Sequence, residues 1–241
     1  MTTPQHNLAV IKVVGIGGGG TNAIKRMIGE GMTGVDFIAL NTDEQDLLDC
    51  DAPTKLDIGQ STTRGLGAGA DPAVGERAAR DNSQDIEDVL TGADMVFVTA
   101  GEGGGTGTGG APIVAGIARG LGALTVAVVT KPFSFEGKRR ADNAEHGIEK
   151  LRDACDTLIT IPNDRLLQQE DKTISINEAF SKADEVLFNG VQGITDLIST
   201  PGLINVDFAD VKSVLADSGA ALMGIGRASG NDRASKATDA A

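Results

Sequence analysis

Met95-Val96-Phe97-Val98-Thr99-Ala100, an apolar run, leads through Gly101-Glu102 into Gly103-Gly104-Gly105-Thr106-Gly107-Thr108-Gly109 and then into the helix-like segment Gly110–Gly122. A strand, a glycine turn and a helix start in that order aim unpaired backbone N–H groups and the positive end of a helix dipole at one spot. The chemistry that fits is an anion site, with phosphate as the natural ligand. A flexible linker would join polar segments, whereas this run joins two segments that read as buried. A Walker A loop needs Lys and Ser or Thr after its last glycine, but Gly109 is followed by Gly110 and Ala111. Backbone amides must therefore do most of the holding.

A second cluster, Gly15-Ile16-Gly17-Gly18-Gly19-Gly20-Thr21-Asn22, sits between the strand-like Leu8–Val14 and the helix-like Asn22–Ile28. Gly15, Gly17 and Gly20 satisfy the spacing G-x-G-x-x-G, a weak signal alone. A third loop, Gly65-Leu66-Gly67-Ala68-Gly69-Ala70, precedes Asp71-Pro72, where Asp caps a helix and Pro occupies its first turn. Three loops can surround a polyphosphate, whereas a dinucleotide site generally needs the first alone.

Further strands are expected at Val35–Leu40, Lys55–Ile58, Met95–Ala100, Leu124–Thr130 and Thr157–Ile161, and further helices at Pro72–Arg80, Gln84–Leu90, Ala111–Arg119, Glu136–Arg152 and Asn177–Ser199. This alternation predicts an α/β fold, a mostly parallel sheet covered by helices on both faces, with a long central helix. Ligands of such sheets bind at the carboxyl ends of the strands, where all three glycine loops fall.

Composition narrows the class. The 241 residues are 40% hydrophobic, enough for a sizeable core, and the formal charge of −13 disfavours nucleic acid as a partner. Cys50 and Cys155 have neither metal-ligand spacing nor disulfide density, which fits a reducing cytosol. His6 and His146 are too scattered for a zinc site and read as surface residues. No stretch is long and apolar enough to span a bilayer, and the N-terminus lacks a signal-peptide core, so direct membrane insertion is not expected.

The three loops together resemble the FtsZ family, the bacterial tubulin-like GTPases of cell division, of which G-G-G-T-G-T-G is a signature. The similarity runs from Leu8 to about Ser229 and includes Asn41-Thr42-Asp43, Lys131-Pro132-Phe133-Ser134-Phe135-Glu136-Gly137-Lys138-Arg139-Arg140, Ile161-Pro162-Asn163-Asp164 and Asn205-Val206-Asp207-Phe208-Ala209-Asp210. The resemblance implies a Rossmann-like GTP-binding domain over residues 1–176, a central helix over 177–199, and a catalytic loop opening a truncated second domain over 200–241. It implies GTP/GDP and Mg²⁺ as ligands, held by Gly18, Gly19, Gly20, Thr21 and Asn22, by Gly67, Ala68, Gly69 and Ala70 near the γ-phosphate, and by Gly105, Thr106 and Gly107. No direct protein ligand for the metal is assigned; Asp43 is a candidate to assist it indirectly, with Glu44 and Asp46 as neighbouring acids.

The base and ribose need other partners. Phe180 and Asp184, four apart on the long helix, share a face, where a ring can stack a purine and a carboxylate can accept from N1–H and N2–H₂ of guanine. From spacing alone, a core Phe180 and a solvated Asp184 remain equally open; the resemblance assigns both to the base, together with Asn22 and with Arg26 as a further candidate. Glu136 and Arg140 read equally as an exposed helical ion pair, and the resemblance assigns them to the ribose and neighbouring phosphate.

Asp207 and Asp210 are the candidates for orienting an attacking water. The stretch from Asp184 to Ser199 alone spans roughly 22 Å of helix, so a monomer cannot easily bring these acids to its own γ-phosphate. The resemblance implies that they act in trans, in a head-to-tail homopolymer at a mid-cell ring in the cytoplasm, with other division proteins bound mostly through a C-terminal tail absent here. On the central helix, Phe180, Ala183, Leu187, Val191, Ile194 and Ile198 form one stripe while Val186, Phe188 and Leu197 lie off it, the pattern of a helix between two layers. One layer then belongs to a missing domain or a partner. Two other readings stay open: a non-catalytic GTP-binding protein acting on filaments, and an NAD-dependent oxidoreductase built on Gly15, Gly17 and Gly20.

Overall fold

The computed structural model describes residues 9–168, 174–199, 207–224, 226 and 228–240. Along the chain run β1 (Ile11–Ile16), α1 (Gly17–Gly29), β2 (Asp36–Asn41), α2 (Glu44–Leu48), β3 (Thr54–Asp57), α3 (Pro72–Asp81), α4 (Ser83–Leu90), β4 (Met95–Gly101), α5 (Thr106–Gly120), β5 (Leu124–Lys131), a 3₁₀ turn (Ser134–Glu136), α6 (Lys138–Ala154), β6 (Thr157–Pro162), α7 (Asn163–Gln168), α8 (Ile176–Ser199), α9 (Phe208–Leu215), β7 (Gly219–Ala221) and α10 (Arg233–Ala240). The strands form one sheet in the order β3-β2-β1-β4-β5-β6-β7, and every pairing is parallel. The expected strands are all present among the described residues, Leu8 of the first lying outside them, with the sheet fully rather than mostly parallel.

Alternate side chains of each strand feed two cores. Val14, Ile16, Ile38, Leu40, Val96 and Val98 pack against α3, α4, α5 and α6, whereas Ile11, Val13, Phe37, Ala39, Met95 and Phe97 pack against α1, α2, α8 and α9. The period of two along buried strands thus covers the sheet on both faces. Within residues 200–241, the described α9 packs on the second core through Val211, and Gly219–Ala221 extends the sheet beside β6.

Two helix boundaries differ from expectation, for the same reason. The sequence places the glycine clusters ahead of helices beginning at Asn22 and Ala111; the chain is helical from Gly17 and from Thr106. Glycine is a poor helix former, but here close packing outweighs propensity. A Cβ on Gly20 would meet the Thr99 carbonyl oxygen at 2.5 Å and Gly15 C at 2.7 Å, so only glycine lets α1 start this close to the sheet. Asp71 caps α3 as expected, accepting from Ala73 N at 3.0 Å with Pro72 in the first turn. Conversely, α6 begins at Lys138, not Glu136: the Glu136 carboxylate accepts from Phe133 N at 2.9 Å, closing a 3₁₀ turn that ends at Gly137.

The buried stripe of α8 also shifts. Ala179, Ala183, Leu187, Val191 and Thr195 face the core, while Phe180 lies outside it, and Ile194 and Ile198 are only partly buried. Val186 and Phe188, read as off-stripe, also pack partly buried against the sheet's second core; Leu197 remains exposed.

Candidate functional site

The strand order reverses at β1, whose neighbours are β2 and β4, and crevices at such switch points are where open parallel sheets bind ligands. At the carboxyl ends of these strands lies a cavity of about 440 Å³, within the range of small-molecule sites. Its floor is made of helix starts. Gly17, Gly18 and Gly19 open α1, and Gly104, Gly105, Thr106 and Gly107 lead into α5. Neither helix has a side-chain cap or an acid in its first turn, whereas α2 and α3 are capped by Asp43 and Asp71. Two uncapped N-termini aimed at one cavity leave their amides available to an anion.

The loop before α5 is held from behind. Gly103 adopts a φ of +101° that side chains rarely take, and its N–H donates to Thr108 Oγ1 at 2.8 Å. Thr106 and Thr42 share a hydrogen bond of 2.6 Å, tying α5 to the segment after β2. Gly67 N donates to the Thr42 carbonyl at 3.0 Å, and Asn143 Nδ2 bridges the carbonyls of Ala70 and Gly103. Thus Gly67, Ala68 and Ala70 form a wall facing the α1 and α5 starts.

The opposite wall combines aromatic and charged side chains. Phe180 is 39% exposed, and its ring meets those of Phe133 and Phe135 edge-on, with centroids 5.4 and 6.3 Å away. Asp184, one turn on, is half-buried; desolvation lifts its pKa to about 6 against the opposing pull of Arg26. The alternative of a core Phe180 with a solvated Asp184 is therefore reversed. Arg140 Nη1 contacts Glu136 Oε2 at 2.7 Å, and both residues line the cavity.

Of the residues expected at the site, the cavity gathers Gly18, Gly19, Asn22, Gly67, Ala68, Ala70, Gly105, Thr106, Gly107, Glu136, Arg140, Phe180 and Asp184. Gly20 and Thr21 lie behind the lining, where the Thr21 hydroxyl donates to the Gly17 and Gly18 carbonyls. Gly69 and Arg26 are also outside it. Arg26 instead bridges α1 to α8 through Ser181 and Glu185. Asp207 and Asp210 do not reach the cavity: both are exposed, and Asp207 caps α9 by accepting from Asp210 N at 2.8 Å.

Residues not anticipated as lining include Asn41, Asp46, Glu102, Thr130 and Asn163. Asn41 and Asn163 stand in motifs visible in the sequence, but their side chains carry no spacing signal. Asp46 accepts from Asn41 Nδ2 at 3.1 Å, and Asp43 from Gln45 N at 3.0 Å. Among the described residues, no group of three or more His, Cys, Asp or Glu could hold a metal ion. None of the described helices is long and apolar enough to cross a membrane.

A model of the tubulin/FtsZ family GTPase domain matches residues 10–171. The chain belongs to this family. An FtsZ from M. jannaschii, solved as an empty dimer, is 49% identical over 98% of this chain and 69% of its own, with a TM-score of 0.95. A mutant of M. jannaschii FtsZ matches at 49% identity over 98% of this chain and 71% of its own, with a TM-score of 0.94. CetZ2 from Haloferax volcanii, in a GTPγS-bound protofilament, is 24% identical over 91% of this chain and 66% of its own; its TM-score of 0.77 shows the shared fold. The cavity thus lies in a chain with the tubulin/FtsZ GTPase-domain fold.

Proposed function

We propose that this chain binds GTP, assembles head to tail and hydrolyses the nucleotide at the contact between subunits, as a cell-division protein. The carrying observation is the pair of uncapped helix starts, α1 and α5, facing Phe180 and Asp184 across one cavity. The triphosphate would lie on the amides of Gly18, Gly19 and Gly105–Gly107, with Gly67–Ala70 beside its γ end. Guanine would stack on Phe180 and donate N1–H and N2–H₂ to Asp184, an edge that adenine cannot present. Glu136 and Arg140 would hold the ribose side. A triphosphate held there would suit Mg²⁺, which keeps much of its water and binds largely through phosphate oxygens; when bound it would neutralise charge developing between the phosphates. Asp43 and Asp46, two of the carboxylates that line the cavity, would meet its water shell.

Asp207 and Asp210 are exposed and do not line their own cavity, which supports their acting on a neighbour's nucleotide. Because Asp207 also caps α9, Asp210→Ala is the cleaner variant. It should bind GTP like the parent and lose assembly-stimulated phosphate release. Gly105→Ser should lose GTP binding, since a Cβ there would meet Ala68 Cβ at 2.7 Å and Asp71 N at 2.9 Å. Mixing the two variants should restore part of the turnover; no rescue, with an activity independent of protein concentration, would place catalysis within one chain.

A further inference from the structure

Glu102 occupies an unusual place for a carboxylate. It follows β4, directly precedes Gly103, is 4% exposed, and its N–H donates to the Thr130 carbonyl at 2.9 Å. Neither carboxyl oxygen has a hydrogen-bond partner of good geometry. The group is wedged between α5 and α6: a Cβ on Gly147 would meet Glu102 Oε2 at 2.5 Å and the Thr108 side chain closer still. Thr108 is the residue whose hydroxyl accepts from Gly103 N. The carboxyl therefore lies beside Thr108, the residue that holds the anion loop, and Glu102 itself lines the cavity.

Among the described residues, no ion pair compensates it. On α6, Arg140 is paired with Glu136, Lys150 with Glu76, and Lys138 with Asp142, while the exposed His146 bonds the Asp142 carbonyl. On β5, Lys131 is paired with Glu145, and α5 carries no charged side chain before Arg119. Desolvation pushes the Glu102 pKa up to about 8, little relieved by the nearby Thr108 hydroxyl. A buried, unpaired carboxylate beside a polyphosphate would be opposed twice, by lost hydration and by the ligand's charge.

We propose that Glu102 is a positioning residue that must be neutral when the cavity takes a nucleoside triphosphate, so that affinity at this site is linked to uptake of a proton by the carboxyl behind the Gly103–Thr108 loop. This rests on the nucleotide reading of the cavity. A bound polyphosphate raises the group's proton affinity further, so a chain that has lost the Glu102 proton must regain it on binding. By linkage, affinity falls as pH rises through the titration of the free chain, by up to tenfold per unit. The proton stays on the carboxyl and no bond to the nucleotide forms.

The test is calorimetry of GTP binding from pH 7 to 9, in buffers of different ionisation enthalpy, on the parent and Glu102→Gln. The parent should bind at least fivefold more weakly at pH 9 than at pH 7 and take up protons above pH 8. Glu102→Gln, an uncharged isostere, should lose both the slope and the proton uptake. Titrations of the nucleotide itself are common to both chains and cancel. Equal pH profiles in the two chains would overturn the proposal while leaving the nucleotide reading intact; no GTP binding by the parent at any pH would overturn both. Should Glu102→Gln fail to fold, infrared spectra of the parent decide: a carboxylic-acid C=O band at pH 8.5 must grow when GTP is added, and its absence or constancy overturns the proposal.

Discussion

Asp184 is the residue at which base selection becomes measurable. Its carboxylate is useful to guanine as an acceptor, so binding favours the ionised form, while desolvation in the free chain holds the pKa at about 6. The sign follows: above pH 6 the acceptor is present, and as pH falls through 6 it is lost. The preference for GTP over ATP should shrink between pH 7 and pH 5, and the ratio of the two affinities is the quantity to measure because phosphate protonation affects both nucleotides. Asp184→Ala should weaken GTP binding by about 1–3 kcal/mol at pH 7, as when a hydrogen bond to a charged group is removed. A preference that stays constant with pH would remove Asp184 from base recognition. The pair Phe180 and Asp184 was legible as a shared helix face, but not which member was buried. Spacing fixes direction around a helix, whereas burial depends on the α1 and aromatic neighbours that the chain brings from elsewhere. Glu102 was less legible still, because a single acid after an apolar strand has no pattern to announce it.

At the scale of elements, the helix starts carry the anion site. Their function was readable from strand, glycine run and apolar segment, yet their extent was not: Gly17–Gly20 and Thr106–Gly110 are turns of helix rather than loops preceding them. Helix propensity undervalues glycine where two backbones must touch. Gly104 offers a direct test, because a Cβ there meets nothing within 4 Å and its backbone is not in the left-handed region. Gly104→Ala should fold and bind GTP much as the parent does. Gly104→Asp places a carboxylate beside the α5 N-terminus, where it complements the dipole and should leave thermal stability equal or slightly higher. The same charge competes with phosphate and should cut GTP affinity by at least tenfold. Equal binding by the Ala and Asp variants would mean that no phosphate lies at this helix start.

For the whole molecule, nucleotide binding and turnover should depend differently on protein concentration. The cavity is assembled from described residues of a single chain, so GTP affinity at high dilution should not vary with the amount of protein. Phosphate release per chain should instead rise with concentration if Asp207 and Asp210 act on a neighbour. Light scattering and phosphate release recorded together separate these cases, and constant specific activity over a hundredfold range of concentration would exclude the intersubunit mechanism. The sheet order explains why the architecture was more legible than the site: apolar strands alternating with helices allow few parallel solutions, whereas the cavity depends on the ends of β1 to β6 and the segments after them converging with α8.

That sheet order also sets a schedule for the newborn chain. β1 leaves the ribosome early but is completed on its second side only when Met95–Gly101 arrives, since Ile11 pairs with Met95 and Ile16 with Ala100. Phe180 and Asp184 come later still, on α8. The first glycine cluster therefore waits without its partners until α8 has been made, and nucleotide can reward folding only after that. Until then the early strands must be kept from pairing wrongly by their own helices or by outside help.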